Sequence, residues 1–169
     1  MSRTNISDTK DLAGKEVELY GWVHNRRDHG KIVFIDLRDR SGVVQIVFTP
    51  DKKELYELAN SLRSEWVIYL KGKVSARPKG MINPDILTGK IEIQPEELKI
   101  LAKSDSPPFD IYGDGYNIDE ELRLKFRYLD LRRQRLQRNI KLRSDFVEKV
   151  RQFLFSRDFI EIETPVLTK

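Results

Sequence analysis

Three observations predict a mainly β protein: three strands, a helix and two more strands, ahead of a helical C-terminal part. Apolar and polar residues alternate from residue 16 to 48 and again from 66 to 94. The period turns helical over 55–62 and again beyond about 133. Between these regions, after Leu101, the alternation gives way to a stretch holding Ser104, Ser106, Pro107, Pro108 and Gly113-Asp114-Gly115.

The first strand is expected over Glu16 to Arg26, with Val17, Leu19 and Val23 on one face and Tyr20, Trp22 and His24 on the other. A second, from Ile32 to Asp39, turns Val33, Ile35 and Leu37 inward and Phe34 outward. After the turn at Arg40-Ser41-Gly42, Val44, Ile46 and Phe48 point in, while Val43, Gln45 and Val47 point out. Leu55, Leu58, Ala59 and Leu62 then fall at helical spacing behind Pro50-Asp51. Strand character returns at Trp66, with Ile68, Leu70, Val74 and Ala76 on one parity and Tyr69, Lys71, Lys73 and Arg77 on the other. Residues 78–90 form a long loop. Ile91 and Ile93 begin a fifth strand that Pro95 interrupts and Leu98 to Leu101 continue beyond a bend. This β-β-β-α-β-β order is that of the OB-fold, a five-stranded Greek-key barrel, and other small α+β arrangements share it.

Beyond the barrel, a short helix should start near Ile118, capped by Asp119 or Asn117. A longer one should cover 133–157, because Phe146, Val150, Phe153 and Leu154 recur on one face. Ile160, Ile162, Pro165 and Leu167 lie in an extended stretch. An apolar helix stripe and a strand without a partner cannot form a core alone, so the chain reads as cut from a longer protein. The expected division is 1–103 for the barrel, 104–122 for a linker or hinge, and 123–169 for the truncated start of a second domain.

Composition narrows the function classes. Of 169 residues, 34% are charged and 39% hydrophobic, which fits a soluble globular chain. No apolar run approaches the roughly 20 residues that span a bilayer, and Met1 to Asn5 lacks the apolar core of a secretion signal. The absence of cysteine removes disulfides and thiolate chemistry and suits a cytoplasmic setting. The net charge of +4 is unevenly placed: from Arg123 to Arg143 nine basic residues face one acid, Asp130. Such a segment either attracts phosphates or is a solvated helix face.

No phosphate-binding loop, no dinucleotide fingerprint and no acid–His–Ser grouping is present, and only His24 and His29 could serve as imidazole ligands. No catalytic residue and no metal site is therefore expected. Asp28, Asp36 and Asp39 beside Arg26, Arg38 and Arg40 read as ion pairs. The binding signal is stronger. An outward Phe34 offers a platform for base stacking, and Gln45 on the adjacent strand can both donate to and accept from a base edge. The plainer alternative is that Phe34 packs under a loop. Arg26 and Arg27 end the first strand with planar, charged forks. Glu92, Arg77 and Asn83 could line the same side. Tyr20 and Trp22 are expected to pack against the linker or helix.

These residues sit in runs that resemble the N-terminal part of the bacterial-type aspartyl-tRNA synthetases, of the class II aspartyl/asparaginyl/lysyl subgroup. They include Gly21-Trp22-Val23, Arg26-Arg27-Asp28-His29-Gly30, Phe34 through Arg40, Thr88-Gly89-Lys90-Ile91-Glu92 and Leu122 through Arg133. Phe159 through Leu167 resembles motif 1 of class II synthetases. Gln134 departs from the family's frequent proline. The resemblance implies recognition of the anticodon of tRNA(Asp), with Phe34 stacking on a base, Arg27 and Gln45 contacting base edges, and Glu92 reading the first anticodon base. Arg77 and Asn83 are weaker carry-overs. Arg26, Arg123, Arg127, Arg132 and Arg133 are candidates for tRNA-backbone or hinge contacts. Motif 1, with Phe153 and Pro165, implies a homodimer interface in the full-length enzyme. ATP and Mg2+ are implied for that enzyme, whose motifs 2 and 3 do not occur in this chain, so no adenylate chemistry is expected from it. His29 and Gly80 lean toward acceptance of tRNA(Asn) as well. Two other readings stand beside this one: a free-standing OB-fold binder of single-stranded nucleic acid, and an interaction piece with a merely solvated basic segment.

Overall fold

A computed structural model describes residues 3–166. The chain divides into two compact units, Met1–Ser106 and Pro107–Lys169. The first contains β1 (Glu16–His29), β2 (Ile32–Arg38), β3 (Val43–Phe48), α1 (Lys53–Ser61), β4 (Val67–Ala76) and β5 (Ile91–Ala102). Its strands close into a barrel in the order β1-β2-β3-β5-β4. All pairings are antiparallel except β3 with β5, which meet in parallel at Ile46 and Ile93. The expected OB-fold is present.

Alternation does what it should. Val17, Leu19, Val23, Val33, Ile35, Leu37, Val44, Ile46, Phe48, Ile68, Leu70, Val74, Ile91 and Ile93 fill the interior. Ala59 and Leu62 join that core, with Leu55 and Leu58 half-buried against it. Ala76, expected inside, is exposed at the end of β4.

Three differences from the sequence reading have physical causes. First, β1 runs three residues past Arg26, because its polar end still pairs with β2 as far as His29 and Ile32. Second, Pro95 does not interrupt β5. The ladder skips one residue there, pairing Lys71 with Glu97 and Gly72 with Pro95, so the proline lies at a bulge where its missing N–H is no loss. Gly72 is required opposite it, since a Cβ would lie 2.5 Å from the Gln94 carbonyl oxygen. Third, a 3-10 segment, Ile6–Asp11, precedes the barrel and buries Ile6 completely in the core.

Asp39 fastens that segment. Its carboxylate accepts from the backbone N–H of Ile6 (3.0 Å), Ser41 (2.7 Å) and Gly42 (3.2 Å) and from the Ser41 hydroxyl (2.6 Å). The expected ion pair between Asp39 and an arginine is replaced by these donors. Burial pushes the Asp39 carboxyl up, but the Ser41 hydroxyl and the three backbone donors together hold it below the ordinary 3.8.

The second unit holds α2 (Glu120–Lys125), α3 (Arg127–Asp130) and α4 (Gln134–Phe155). Asp119 caps α2 by accepting from Leu122 N–H at 3.2 Å, as expected. Asp130, fully buried, accepts from Arg133 Nε and from Arg127 Nη1, both at 2.8 Å, and Arg123 lies 3.9 Å away. Arg133 is 1% exposed and also donates to the carbonyl oxygens of Gly113 (2.9 Å) and Asp110 (2.6 Å). Gly115 makes room for it at φ +80°, where a Cβ would lie 2.6 Å from the Arg133 Nε.

Helix α4 ends in paired reverse hydrogen bonds, Phe159 N–H to Leu154 and Asp158 N–H to Phe155, with Asp158 at φ 64°. Phe146, Val150, Phe153 and Phe155 on this helix are exposed. Among the described residues, 156–166 form no strand, contrary to expectation; a strand needs a ladder partner, and none is present for it. Leu167 lies outside the described residues.

Asp39→Ala is expected to destabilise the barrel by about 2–3 kcal/mol, because the buried Ile6 N–H is left unpaired. Since the folded-state pKa is depressed, the Asp39 contribution is complete above the unfolded value and is lost as pH falls through the lower folded one. Urea denaturation at neutral pH and below pH 4 checks both statements: the gap between wild type and Asp39→Ala should narrow in acid.

Candidate nucleic-acid interface

The site begins with a break in register. Along β1, Val23 pairs with Leu37, but the next pair is Asn25 with Asp36, so His24 is extra. A residue inserted in this way flips the alternation that follows. Before the bulge, odd positions point into the barrel; after it, Arg27 pairs with Phe34 and shares its outward face. Plain alternation from Val17 onward would have turned Arg27 inward.

The bulge is held from three sides. Glu65 N–H donates to Val23 O at 2.8 Å and Val23 N–H to Trp66 O at 2.9 Å. Arg38 Nη1 lies 3.3 Å from His24 Nδ1, and the same guanidinium donates to both Glu65 carboxylate oxygens at 3.2 Å. Glu65 sits at φ 69°, a left-handed conformation that a non-glycine residue keeps only when its surroundings enforce it. Arg38 also lies over the Trp22 ring at 5.8 Å. Trp22 thus meets the barrel's own arginine, and the Tyr20 ring lies tilted at 55° to that of Tyr69, with centroids 5.1 Å apart.

On the outward face, Phe34 stands between Arg27 on β1 and Val47 on β3. It is half-buried. One pair further along, Asp36 faces Gln45. Arg27 Nη2 donates to Asp36 at 2.9 and 3.1 Å and to Gln45 Oε1 at 3.4 Å. Gln45 Nε2 donates in turn to Glu92 at 3.4 Å. Gln45 is therefore outward by parity yet only 9% exposed, tucked under its charged neighbours. Burial raises the Glu92 carboxyl above its usual range, opposed by Arg77 and the Gln45 amide. Arg77 is lowered by burial, with Glu92 and Asp36 acting against the shift. Its Nε donates to Ile91 O at 2.9 Å. Phe34, Arg27, Gln45, Glu92 and Arg77 thus form one connected patch.

The remaining candidates lie elsewhere. Arg26 falls on the opposite parity and reaches Asn60 of α1 (3.1 Å) and Asp28 (2.7 Å), so it does not join the Phe34 face. Asn83 uses its side-chain oxygen to accept from Asp85 N–H at 2.9 Å, within its own loop. Arg133, a candidate for a tRNA-backbone or hinge contact, is buried against Asp130 and two carbonyls, which leaves no exposed guanidinium for a phosphate. Arg123 and Arg127 also face Asp130, and Arg132 is exposed. Asp36 is the member that the sequence reading took only for an ion pair. Its signal was present, two residues after Phe34 on the same parity.

Comparison with known proteins decides the family. Residues 17–101 match the OB-fold nucleic acid binding domain of the tRNA anti-codon family, and residues 119–169 match the tRNA synthetases class II (D, K and N). The chain belongs to this anticodon-domain synthetase family. It is similar to the aspartate–tRNA(Asp/Asn) ligase of Syntrophomonas wolfei, 51% identical over all of this chain and 29% of that protein. It is also similar to the aspartate–tRNA ligase of Staphylococcus carnosus, 52% identical over 95% of this chain and 28% of that protein. Among solved structures, an asparaginyl-tRNA synthetase of Pyrococcus horikoshii complexed with asparaginyl-adenylate superimposes with a TM-score of 0.76 at 25% identity, over 98% of this chain and 37% of that one. The chain spans under a third of the length of the curated relatives it matches. The synthetase match over 119–169 favours this membership over a free-standing barrel.

In this family's barrel, as it stands here, the face presented by Arg27 depends on the bulge clamp. Glu65→Ala is expected to cost about 1.5–3 kcal/mol, the value of hydrogen bonds to a charged group. It should also speed amide exchange at Asn25 to Arg27 relative to β4. Unchanged exchange there would show that the clamp does not hold the bulge.

Proposed function

We propose that the first unit reads the anticodon loop of tRNA(Asp) as the anticodon-binding domain of an aspartate–tRNA ligase. The observation that carries this reading is the placement of Phe34, Arg27 and Gln45 on one outward face of an OB barrel, beside Glu92. A half-buried aromatic stacks on a base, at a value of about 1–3 kcal/mol. Gln45 and the Arg27 fork offer donors and acceptors to base edges. Glu92 adds an acceptor suited to exocyclic or ring N–H groups of the first anticodon base, and Arg77 backs it. Asn83, in the 78–90 loop, is proposed as a further contact.

The domain roles follow the same proposal: 1–103 for anticodon binding, 104–122 for the hinge, and 123–169 for the start of the catalytic domain. Arg26, Arg123, Arg127 and Arg132 are the proposed backbone or hinge contacts, with Arg133 acting through its buried contacts. The exposed stripe of α4, including Phe153, and the segment around Pro165 are proposed to be covered by a second copy in the full-length dimer. The whole enzyme would attach aspartate to tRNA with ATP and Mg2+ in the cytoplasm. Among the described residues, no group of three or more His, Cys, Asp or Glu side chains comes together to hold a metal ion. The ATP and Mg2+ chemistry is proposed for the full-length enzyme, and none of it is assigned to the residues present. No helix among the described residues is long and apolar enough to cross a membrane.

An RNA hairpin carrying the aspartate anticodon tests the reading. The 169-residue chain should bind it more tightly than hairpins with a changed anticodon base, and Phe34→Ala should weaken binding by roughly tenfold, the size of one lost stack. Equal binding of all hairpins would sink the proposal and favour a non-selective single-strand binder. The relatives' names include both aspartate-only and Asp/Asn types. His29, exposed at the end of β1, and Gly80, at φ +92° in the 78–90 loop, are proposed to allow tRNA(Asn). A hairpin with the asparagine anticodon should then bind within about tenfold of the aspartate one, a gap of about 1.4 kcal/mol.

A further inference from the structure

The hydrogen bonds around Gln45 fix more than its position. An arginine can only donate and an ionised carboxylate can only accept, so one amide orientation satisfies both neighbours: Oε1 toward Arg27 and Nε2 toward Glu92. That leaves one acceptor position on Oε1 and one N–H on Nε2 for a base edge. The orientation depends on Arg27 being where it is. Arg27 is a long side chain, 54% exposed, near the end of β1. Asp36, 16% exposed and mid-way along β2, takes hold of its Nη2 with both carboxylate oxygens. Nη2 is thereby committed to Asp36 and Gln45, while Nε and Nη1 remain for a ligand.

A carboxylate at this place repels an RNA backbone and lowers affinity for any strand. Its gain must therefore lie in discrimination. We propose that Asp36 is a positioning residue for base selection: it anchors the Arg27 fork, and through it the donor–acceptor polarity that Gln45 shows to a base. Asp36 also neutralises Arg27, so that the fork does not capture phosphates indiscriminately. This inference rests on the anticodon reading proposed above.

The test uses the 169-residue chain, the hairpin with the aspartate anticodon, and hairpins with each anticodon base changed in turn. Asp36→Asn keeps size and shape but removes the charge. It should lower the ratio of cognate to changed-hairpin affinity by about tenfold, the scale of one oriented hydrogen bond to a charged group. Affinity for the changed hairpins should hold or rise, and their binding should become more salt-dependent. A merely structural role would lower both affinities together and leave the ratio alone. Asp36→Glu, which restores the charge, should recover part of the ratio. Arg27→Ala should add little to the loss in an Asp36→Asn background, because the two act as one unit. A wild-type ratio in Asp36→Asn, or independent effects of the two substitutions, would overturn the inference while leaving the anticodon reading intact. A wild-type chain that does not discriminate would overturn both.

Discussion

The meeting of Arg27 with Phe34 on the proposed binding face depends on one extra residue in β1. In a barrel whose interior is filled by one side-chain parity, a strand can change the face of its distal half only by a bulge. His24 supplies it, and Arg27 comes round to join Phe34. The device has its own support: the Arg38–Glu65 bridge, the backbone bonds from Val23 to Glu65 and Trp66, and a left-handed Glu65. Strain of this kind is tolerated only where the neighbours over-determine it. Here the neighbours are the end of β2 and the residues that lead into β4, so barrel stability and the outward placement of Arg27 share the same bonds.

The two units differ in how they use charge. On the barrel face, Arg27 and Arg77 are balanced by Asp36 and Glu92 within one network. In the second unit, Asp130 draws three arginines of the basic run toward itself and buries one of them. A buried aspartate with several guanidinium partners fixes the turn between α3 and α4 far more than it adds to net stability. The basic segment is thus part structural hub and part surface, and its formal charge overstates what a phosphate would meet.

Much of the barrel was legible because burial and pairing obey the same two-residue period. The interior list from Val17 to Ile93 follows from alternation, and the helix at 55–62 from its change of period. What the sequence hid were departures from that period. The polar run His24 to His29 carries no apolar marker, so nothing in it reveals which way Arg27 points. Pro95 looked like a stop because a single strand shows no partner; the bulge opposite Gly72 appears only once β4 lies beside it. Ile6 gave no sign of burial, since its place is made by Asp39 more than thirty residues away. At the site, Phe34 and Gln45 were placed by parity alone. Asp36 needed the cross-strand partner to be seen, and Arg133 needed the fold of the 110–115 segment around it.

The balance of charge on the barrel face also bears on what kind of binder it can be. Non-selective single-strand proteins draw most of their affinity from a positive groove that follows the backbone, and they lose it steeply with salt. Here the groups around Phe34 cancel in charge, and the buried Gln45 spends half of its hydrogen-bonding capacity on protein neighbours. Affinity at this patch must come from stacking and from edges that match the remaining donors and acceptors. A mismatched base would leave buried polar groups unpaired, which costs more than the lost contact itself. A neutral, pre-paired surface is poor at holding any strand and well suited to rejecting the wrong one. That is the physical requirement for reading an anticodon loop.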